Sequence, residues 1–113
     1  MNRGAAAEAL AASYLAARGL TIVQRNYRCR GGEIDLIARD GTTLVFVEVR
    51  LRSSSAFGGA RASITAAKRR RIKFAAGLFL SNIRREPPCR FDAILLDGLD
   101  MARIEWLVDI DIG

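Results

Sequence analysis

Two apolar, strand-like runs of this chain carry acidic residues where a plain core strand would carry valine or isoleucine. They are Gly32-Glu33-Ile34-Asp35-Leu36-Ile37-Ala38-Arg39-Asp40 and Leu44-Val45-Phe46-Val47-Glu48-Val49-Arg50. Carboxylates held close together on a rigid sheet are what a hard ion such as Mg²⁺ requires, because they present oxygen ligands already ordered by the backbone. Asp40-Gly41 is a hairpin signal and Thr42-Thr43 opens the second β-rich run, so the two runs pair antiparallel. Side chains alternate along a strand. Glu33, Asp35 and Ile37 therefore share one face, and Leu44, Phe46, Glu48 and Arg50 share one face of the partner. A two-residue turn sets Ile37 opposite Leu44, Asp35 opposite Phe46 and Glu33 opposite Glu48; a four-residue loop sets Asp35 opposite Glu48. Both registers leave Asp35 and Glu48 on the same face, opposite or diagonal. Carboxylates so placed repel unless something positive lies between them. The ordinary alternative is a surface salt-bridge ladder in which Arg50, or Arg39 at the hairpin end, neutralises them.

The elements that must position this hairpin follow from the punctuation. Residues 3–18 read as an Ala-rich helix ended by Gly19, with Glu8 on the flank of Ala11, Ala12 and Leu15. Residues 21–28 read as a first strand and residues 29–32 as a loop, after which the acidic hairpin supplies strands two and three. Residues 52–62, rich in Ser and Gly, read as a mobile loop, either a flap over a ligand or an indifferent surface segment. Ser63 is a candidate N-cap for a helix running to about Leu80. Its apolar stripe is Ile64, Ala67, Ile72, Ala75, Ala76 and Phe79. The Lys68-Arg69-Arg70-Arg71 run spans more than one turn, so its charges fan around that helix. Pro87-Pro88 marks a loop, residues 90–96 read as a buried strand, and residues 104–112 as a final short strand or helix in which Trp106 anchors the core or its edge. The architecture expected is α/β, a mixed β-sheet with flanking helices in the order α-β-β-β-α-β, with a helical crossover making one strand pair parallel.

At 113 residues the chain makes one domain, residues 1–113, with a core that needs no staples. The net charge of +6 comes mainly from arginine, which suits phosphate recognition. Basic residues cluster at 25–30, 50–52, 68–73 and 84–85. From these clusters Arg28, Arg30, Arg52, Lys68 and Arg71 are the candidate phosphate contacts; the plain alternative is an inert solvated surface. The chain has no histidine, which removes Ser-His-Asp and Cys-His catalysis and histidine-ligated zinc hydrolysis together. Cys29 and Cys89 fit no metal spacing and read as free thiols in a reducing cytoplasm. Glu8 interrupts what would be the apolar centre of a signal peptide, and no run reaches membrane-spanning length. A cytoplasmic protein that does not bind membranes is expected.

The order of acidic strand, second strand and Glu-x-basic resembles the PD-(D/E)xK nuclease superfamily, with its restriction-endonuclease-like fold. More closely, the chain resembles the YraN-like family, small bacterial proteins related to archaeal Holliday junction resolvases. The likeness runs over nearly the whole length. It includes Glu8 and Tyr14-Leu15 in the first helix, Arg25-Asn26-Tyr27-Arg28, residues 32–37, Val45-Phe46-Val47-Glu48-Val49, residues 68–71, and Arg90-Phe91-Asp92. The resemblance implies a Mg²⁺- or Mn²⁺-dependent endonuclease acting on DNA, branched DNA included, and a homodimer, since resolving a junction takes two cuts. It implies Asp35 and Glu48 as metal ligands, with Glu8 reaching the same site and Arg50 at the remaining catalytic position. That position, two after the glutamate, is lysine in the superfamily. Arginine stays protonated at any working pH and is no general base, although it can hold a phosphate bidentately. The chain's two lysines, Lys68 and Lys73, are the alternatives for the missing role. A catalytically inactive DNA-binding module of the same fold is the competing expectation.

Overall fold

The computed structural model describes residues 3–52, 64–99 and 103–113. Helix α1 (Arg3–Ala17) is followed by strands β1 (Thr21–Cys29), β2 (Gly32–Asp40) and β3 (Thr43–Arg52). Helix α2 (Ala66–Ser81) then leads to β4 (Cys89–Asp97) and β5 (Ile104–Leu107). One five-stranded sheet has the order β1-β2-β3-β4-β5. The first three strands form an antiparallel meander, β3 and β4 are parallel, and β5 returns antiparallel along β4. The expected mixed α/β sheet is present. Its order gains one strand over the expected α-β-β-β-α-β, because residues 104–107 pair with β4.

The sheet is sandwiched. Leu36, Ala38, Val45, Val47, Ile94 and Leu96 face α1, which contributes Ala7, Ala11, Ala12 and Leu15. Ile37, Leu44 and Phe46 face α2, which contributes Ile72, Ala75 and Ala76. Small alanines on both helices let their axes lie close to the sheet, while the branched strand residues fill the space between. Ala67, expected on the apolar stripe of α2, is exposed.

Local chemistry accounts for the element ends. Leu20 N donates to Leu15 O (3.1 Å) and Gly19 N to Ala16 O (3.1 Å), with Gly19 at φ 94, a Schellman termination of α1 that a Cβ would strain. The N-cap of α2 is Thr65, whose Oγ1 accepts from Lys68 N at 3.2 Å. Ser63, the cap expected from sequence, and residues 53–62 of the expected loop lie outside the described residues. The β1–β2 connection is a tight turn at Arg30-Gly31 rather than a loop over 29–32. In the next hairpin Asp40 pairs with Thr43, so the turn residues are Gly41 and Thr42. That shift of the turn by one residue moves the pairing by two and selects the register that sets Asp35 across from Glu48, and it does so without a four-residue loop.

Candidate functional site

Pairing between β2 and β3 runs from Asp40↔Thr43 as far as Leu36↔Val47. Beyond it the Asp35 carboxylate takes over: Oδ2 accepts from Val49 N at 2.8 Å. A side chain has replaced a main-chain carbonyl in the ladder, which fixes Asp35 beside β3. Glu48, its neighbour across the hairpin, is only 3% exposed. Strand β4 covers β3 on the other side through Glu48↔Ala93. Parity therefore sends Glu48 to the α2 face, where Lys68 meets it, Nζ lying 2.6 Å from Oε1.

The electrostatics reflect too much negative charge with too little water. Burial raises the Glu48 pKa to about 7, helped by the nearby Asp35 charge and opposed by Lys68. Asp35 is also raised, first by burial, against the Val49 amide and Lys68, which favour its charged form. Each carboxyl perturbs the other's titration, so the two lie within direct electrostatic reach and titrate as a pair. Neither Arg50 nor Arg39 pairs with them among the described residues; the neutralising cation comes from α2.

Other residues ring the pair. A solvent-open depression of about 170 Å³ is lined by Glu33, Glu48, Lys68, Arg71 and Ile72. Glu33 is held by Arg71 (3.6 Å) and Arg28 (3.8 Å). Arg30 is exposed at the β1–β2 turn, and Arg50 is half-buried on β3. The Arg52 side chain lies outside the described residues. Glu8 is raised in pKa by burial and by Asp35, and Asn26 hydrogen-bonds it.

Of the residues singled out from sequence, Asp35, Glu48 and Lys68 come together in contact. Glu8 lies within electrostatic reach of Asp35, and Arg28 and Arg71 approach through Glu33. Two participants were not singled out for the site. Parity had already set Glu33 beside Asp35 without giving it a role, and its ion pairs with Arg71 and Arg28 are what bring it into the site. Asn26 adopts φ 53 inside β1, a left-handed conformation that asparagine tolerates better than most residues. Its signals were an asparagine in the middle of a strand and its place in the Arg25-Asn26-Tyr27-Arg28 run of the resemblance, neither of which assigned it a role.

A hard divalent ion fits this donor set. Asp35, Glu48 and Lys68 leave one negative charge in excess when both acids ionise, and the depression beside Glu48 is open to solvent. Among the described residues no group of three or more Asp, Glu, His or Cys side chains is gathered tightly enough to hold an ion. Two carboxylates completed by water and substrate oxygens is a usual arrangement for Mg²⁺. Among the described residues no helix is long and apolar enough to cross a membrane, and Cys29 and Cys89 are free.

Comparison with known proteins places these residues in a family context. The model of the uncharacterised protein family UPF0102 matches residues 7–96, a span that contains Glu8, Asp35, Glu48 and Lys68. The chain is 55% identical over 105 residues to the UPF0102 protein of Nitrosospira multiformis, covering 93% of this chain and 88% of that one. It is 56% identical over 103 residues to the UPF0102 protein of Methylobacillus flagellatus, covering 91% and 90%. With the UPF0102 protein of Cupriavidus pinatubonensis the identity is 57% over 107 residues, covering 93% and 81%.

Proposed function

We propose, from the premise that this chain belongs to the uncharacterised protein family UPF0102, that it is a nucleic-acid-binding protein of restriction-endonuclease-like fold whose Asp35–Glu48 pair takes Mg²⁺ or Mn²⁺ for phosphodiester hydrolysis. The observation that carries the reading is the carboxylate pair itself. It is crowded and desolvated, has a single lysine against it, and opens onto a depression whose lining includes Lys68 and Arg71 beside Glu33 and Glu48. A structural pair would be expected to be fully neutralised.

A bound divalent ion supplies Lewis-acid charge at a scissile phosphate and eases deprotonation of water. The chain's own residues do the rest. Asp35, oriented by Val49 N, and Glu48 hold the oxygen ligands in place. Lys68 brings an amine to the carboxylates, the group that Arg50 lacks, and can orient an attacking water there. Arg50 and Arg71 clamp phosphate oxygens, and Arg28 and Arg30 extend the electrostatic track along the strand. DNA is the substrate this reading assigns, branched DNA included, with a dimer delivering paired cuts.

Incubation of the purified protein with DNA and Mn²⁺ or Mg²⁺ tests this. Cleavage should require the metal, fall at least about 100-fold in Asp35→Asn and in Glu48→Gln, and fall in Lys68→Met. Cleavage that persists in Asp35→Asn would assign the activity to a contaminant. One observation favours a second reading, a binding module without turnover: Arg50 occupies the strand position of the usual lysine and touches neither carboxylate. That reading expects salt-sensitive binding with no cleavage under either metal, and a gain of cleavage in Arg50→Lys would show a site complete but for its lysine.

A further inference from the structure

We infer that Phe74 is a stacking platform for an unpaired nucleobase, which makes single-stranded or flapped nucleic acid, rather than continuous duplex, the ligand that this site prefers. The inference rests on the reading of the carboxylate cluster as a nucleic-acid site and adds what that reading leaves open, the structural class of the ligand.

Phe74 is 54% exposed, the most exposed of the large apolar side chains among the described residues. The other described aromatics are all packed against one another: Tyr14 with Trp106, Tyr27 with Phe79, and Phe46 with both Phe79 and Phe91. Phe74 alone among the described residues has no ring partner. It is nonetheless held from below. A Cβ on Gly31 would lie 3.3 Å from Phe74 Cε1, and one on Gly32 would run into the Arg71 carbonyl. The glycine pair therefore lets the β1–β2 turn seat directly against α2 at Arg71 and Phe74, and Gly31 at φ 95 suits the turn itself. One side of the ring is backed by a backbone turn while much of its surface remains open to solvent.

Charge says what covers the open surface. Arg70 and Arg71 precede Phe74 by one helical turn and share its side of α2. Arg30 adjoins Gly31 in the seated turn, and all three are exposed. A second copy of the chain docking symmetrically through this patch would set arginines against arginines in a molecule of net charge +6. A nucleic acid offers phosphates to the arginines and a π-face to the ring, and base stacking on an aromatic is sequence-tolerant. Inside a duplex both faces of each base are occupied by neighbours, so only an unpaired or extruded base can use the platform. The platform belongs to the same site. Lys68 and Phe74 are six residues apart on α2, about 9 Å along the axis and about 120° around it, and Arg71 lies between them in both senses. A strand with its phosphate at Lys68 can lay a base a few nucleotides away on Phe74.

The test is fluorescence-anisotropy binding, without divalent metal and at fixed low salt, of a labelled single-stranded oligonucleotide and of the same sequence in a hairpin-closed duplex. Phe74→Ala and Phe74→Leu should weaken single-strand binding about 5- to 100-fold, while Phe74→Trp retains it. Duplex binding should change less than about twofold in all three, and thermal melts should show each variant folded. Unchanged single-strand affinity in Phe74→Ala, with Arg71→Ala still weakening it, would overturn the platform and leave the nucleic-acid reading standing. Equal losses on duplex and single strand would overturn it too. Sedimentation of a dimer that Phe74→Ala dissociates would give the patch to a second copy instead. Wild-type protein that binds neither oligonucleotide would end both proposals.

Discussion

Two buried carboxylate centres on neighbouring strands are treated in opposite ways. Asp92 on β4 is 1% exposed, and Glu48 on β3 is 3% exposed. Asp92 is saturated with donors. Arg90 Nε reaches Oδ1 at 3.1 Å and Nη2 reaches Oδ2 at 3.2 Å. Trp106 Nε1 donates to Oδ2 at 3.0 Å, and the Asp109 amide to Oδ1 at 2.9 Å. Arg90 is itself shared with Asp40 at 3.0 Å. This knot ties β5 and the segment after it to the middle of the sheet, alongside Ile110 N to Phe91 O at 2.7 Å. Glu48 has one lysine and a second carboxyl pressed against it. A satisfied buried acid holds a fold together, whereas an under-satisfied one stores a demand for a cation. Burial alone does not separate the two; the donor inventory does.

The sharpest way to break the comparison is to delete each acid. Asp92→Ala takes the main acceptor from a half-buried guanidinium that keeps only Asp40, and leaves an indole N–H and an amide without theirs, so it should cost about 2–4 kcal/mol in urea unfolding. Asp35→Asn removes one member of a repelling pair and should be neutral or stabilising at pH 8. Similar losses in both variants would mean that the Asp35–Glu48 pair is as structural as Asp92.

A pH series sharpens the same contrast. Glu48 titrates at about 7 when folded against 4.5 for an unstrained glutamate. Between those values the unfolded chain releases the proton first, so the contribution to stability is complete below pH 4.5 and is lost as pH rises through 7. The drop is on the order of 2–3 kcal/mol. The raised pKa of Asp35 acts in the same sense. Chemical denaturation at pH 5 and pH 8 should show the wild type losing this much relative to Glu48→Gln. Parallel curves for the two proteins would mean that Glu48 is ionised throughout and already compensated.

Metal should erase that penalty. At pH 8, Mn²⁺ at about 100 times its dissociation constant should stabilise the wild type by about 2.7 kcal/mol, seen as a raised melting temperature. Asp35→Asn should lose the response and Asp92→Asn should keep it. A shift that survives in Asp35→Asn would place the cation elsewhere.

The contrast also marks what was legible in the sequence. Strand alternation and a Gly41 turn were enough to bring Asp35 and Glu48 to one face, because period and parity are local properties of the chain. The register needed one more fact, that Asp40 still pairs and the turn sits at Gly41-Thr42, a one-residue matter that turn chemistry leaves open. Lys68 was one of two lysines on a segment read as a helix, but which of them reaches Glu48 depends on the phase of that helix and its seat on the sheet. Of the Asp92 knot only the Arg90-Phe91-Asp92 run and Trp106 as an anchor were legible, not their meeting at one carboxylate. Arg90 is two residues away, but Trp106 and the Asp109 amide arrive 14 and 17 residues later, through a β5 pairing that a four-residue strand barely signals.

The helix phase itself supplies the smallest and most local test. Thr65 Oγ1 accepts from Lys68 N, so the residue that caps α2 also orders the turn from which Lys68 extends to Glu48. Thr65→Ala should cost about 1 kcal/mol, with Thr65→Ser recovering most of it. A loss of cap alone would lower the melting temperature at pH 5 and pH 8 equally. If the cap also places Lys68, Thr65→Ala should cost more at pH 8, where Glu48 is ionised and relies on the ammonium 2.6 Å away, than at pH 5, where its carboxyl is protonated. Lys68→Met in the same background should abolish that difference, because among the described residues the cap reaches the carboxylates through this side chain.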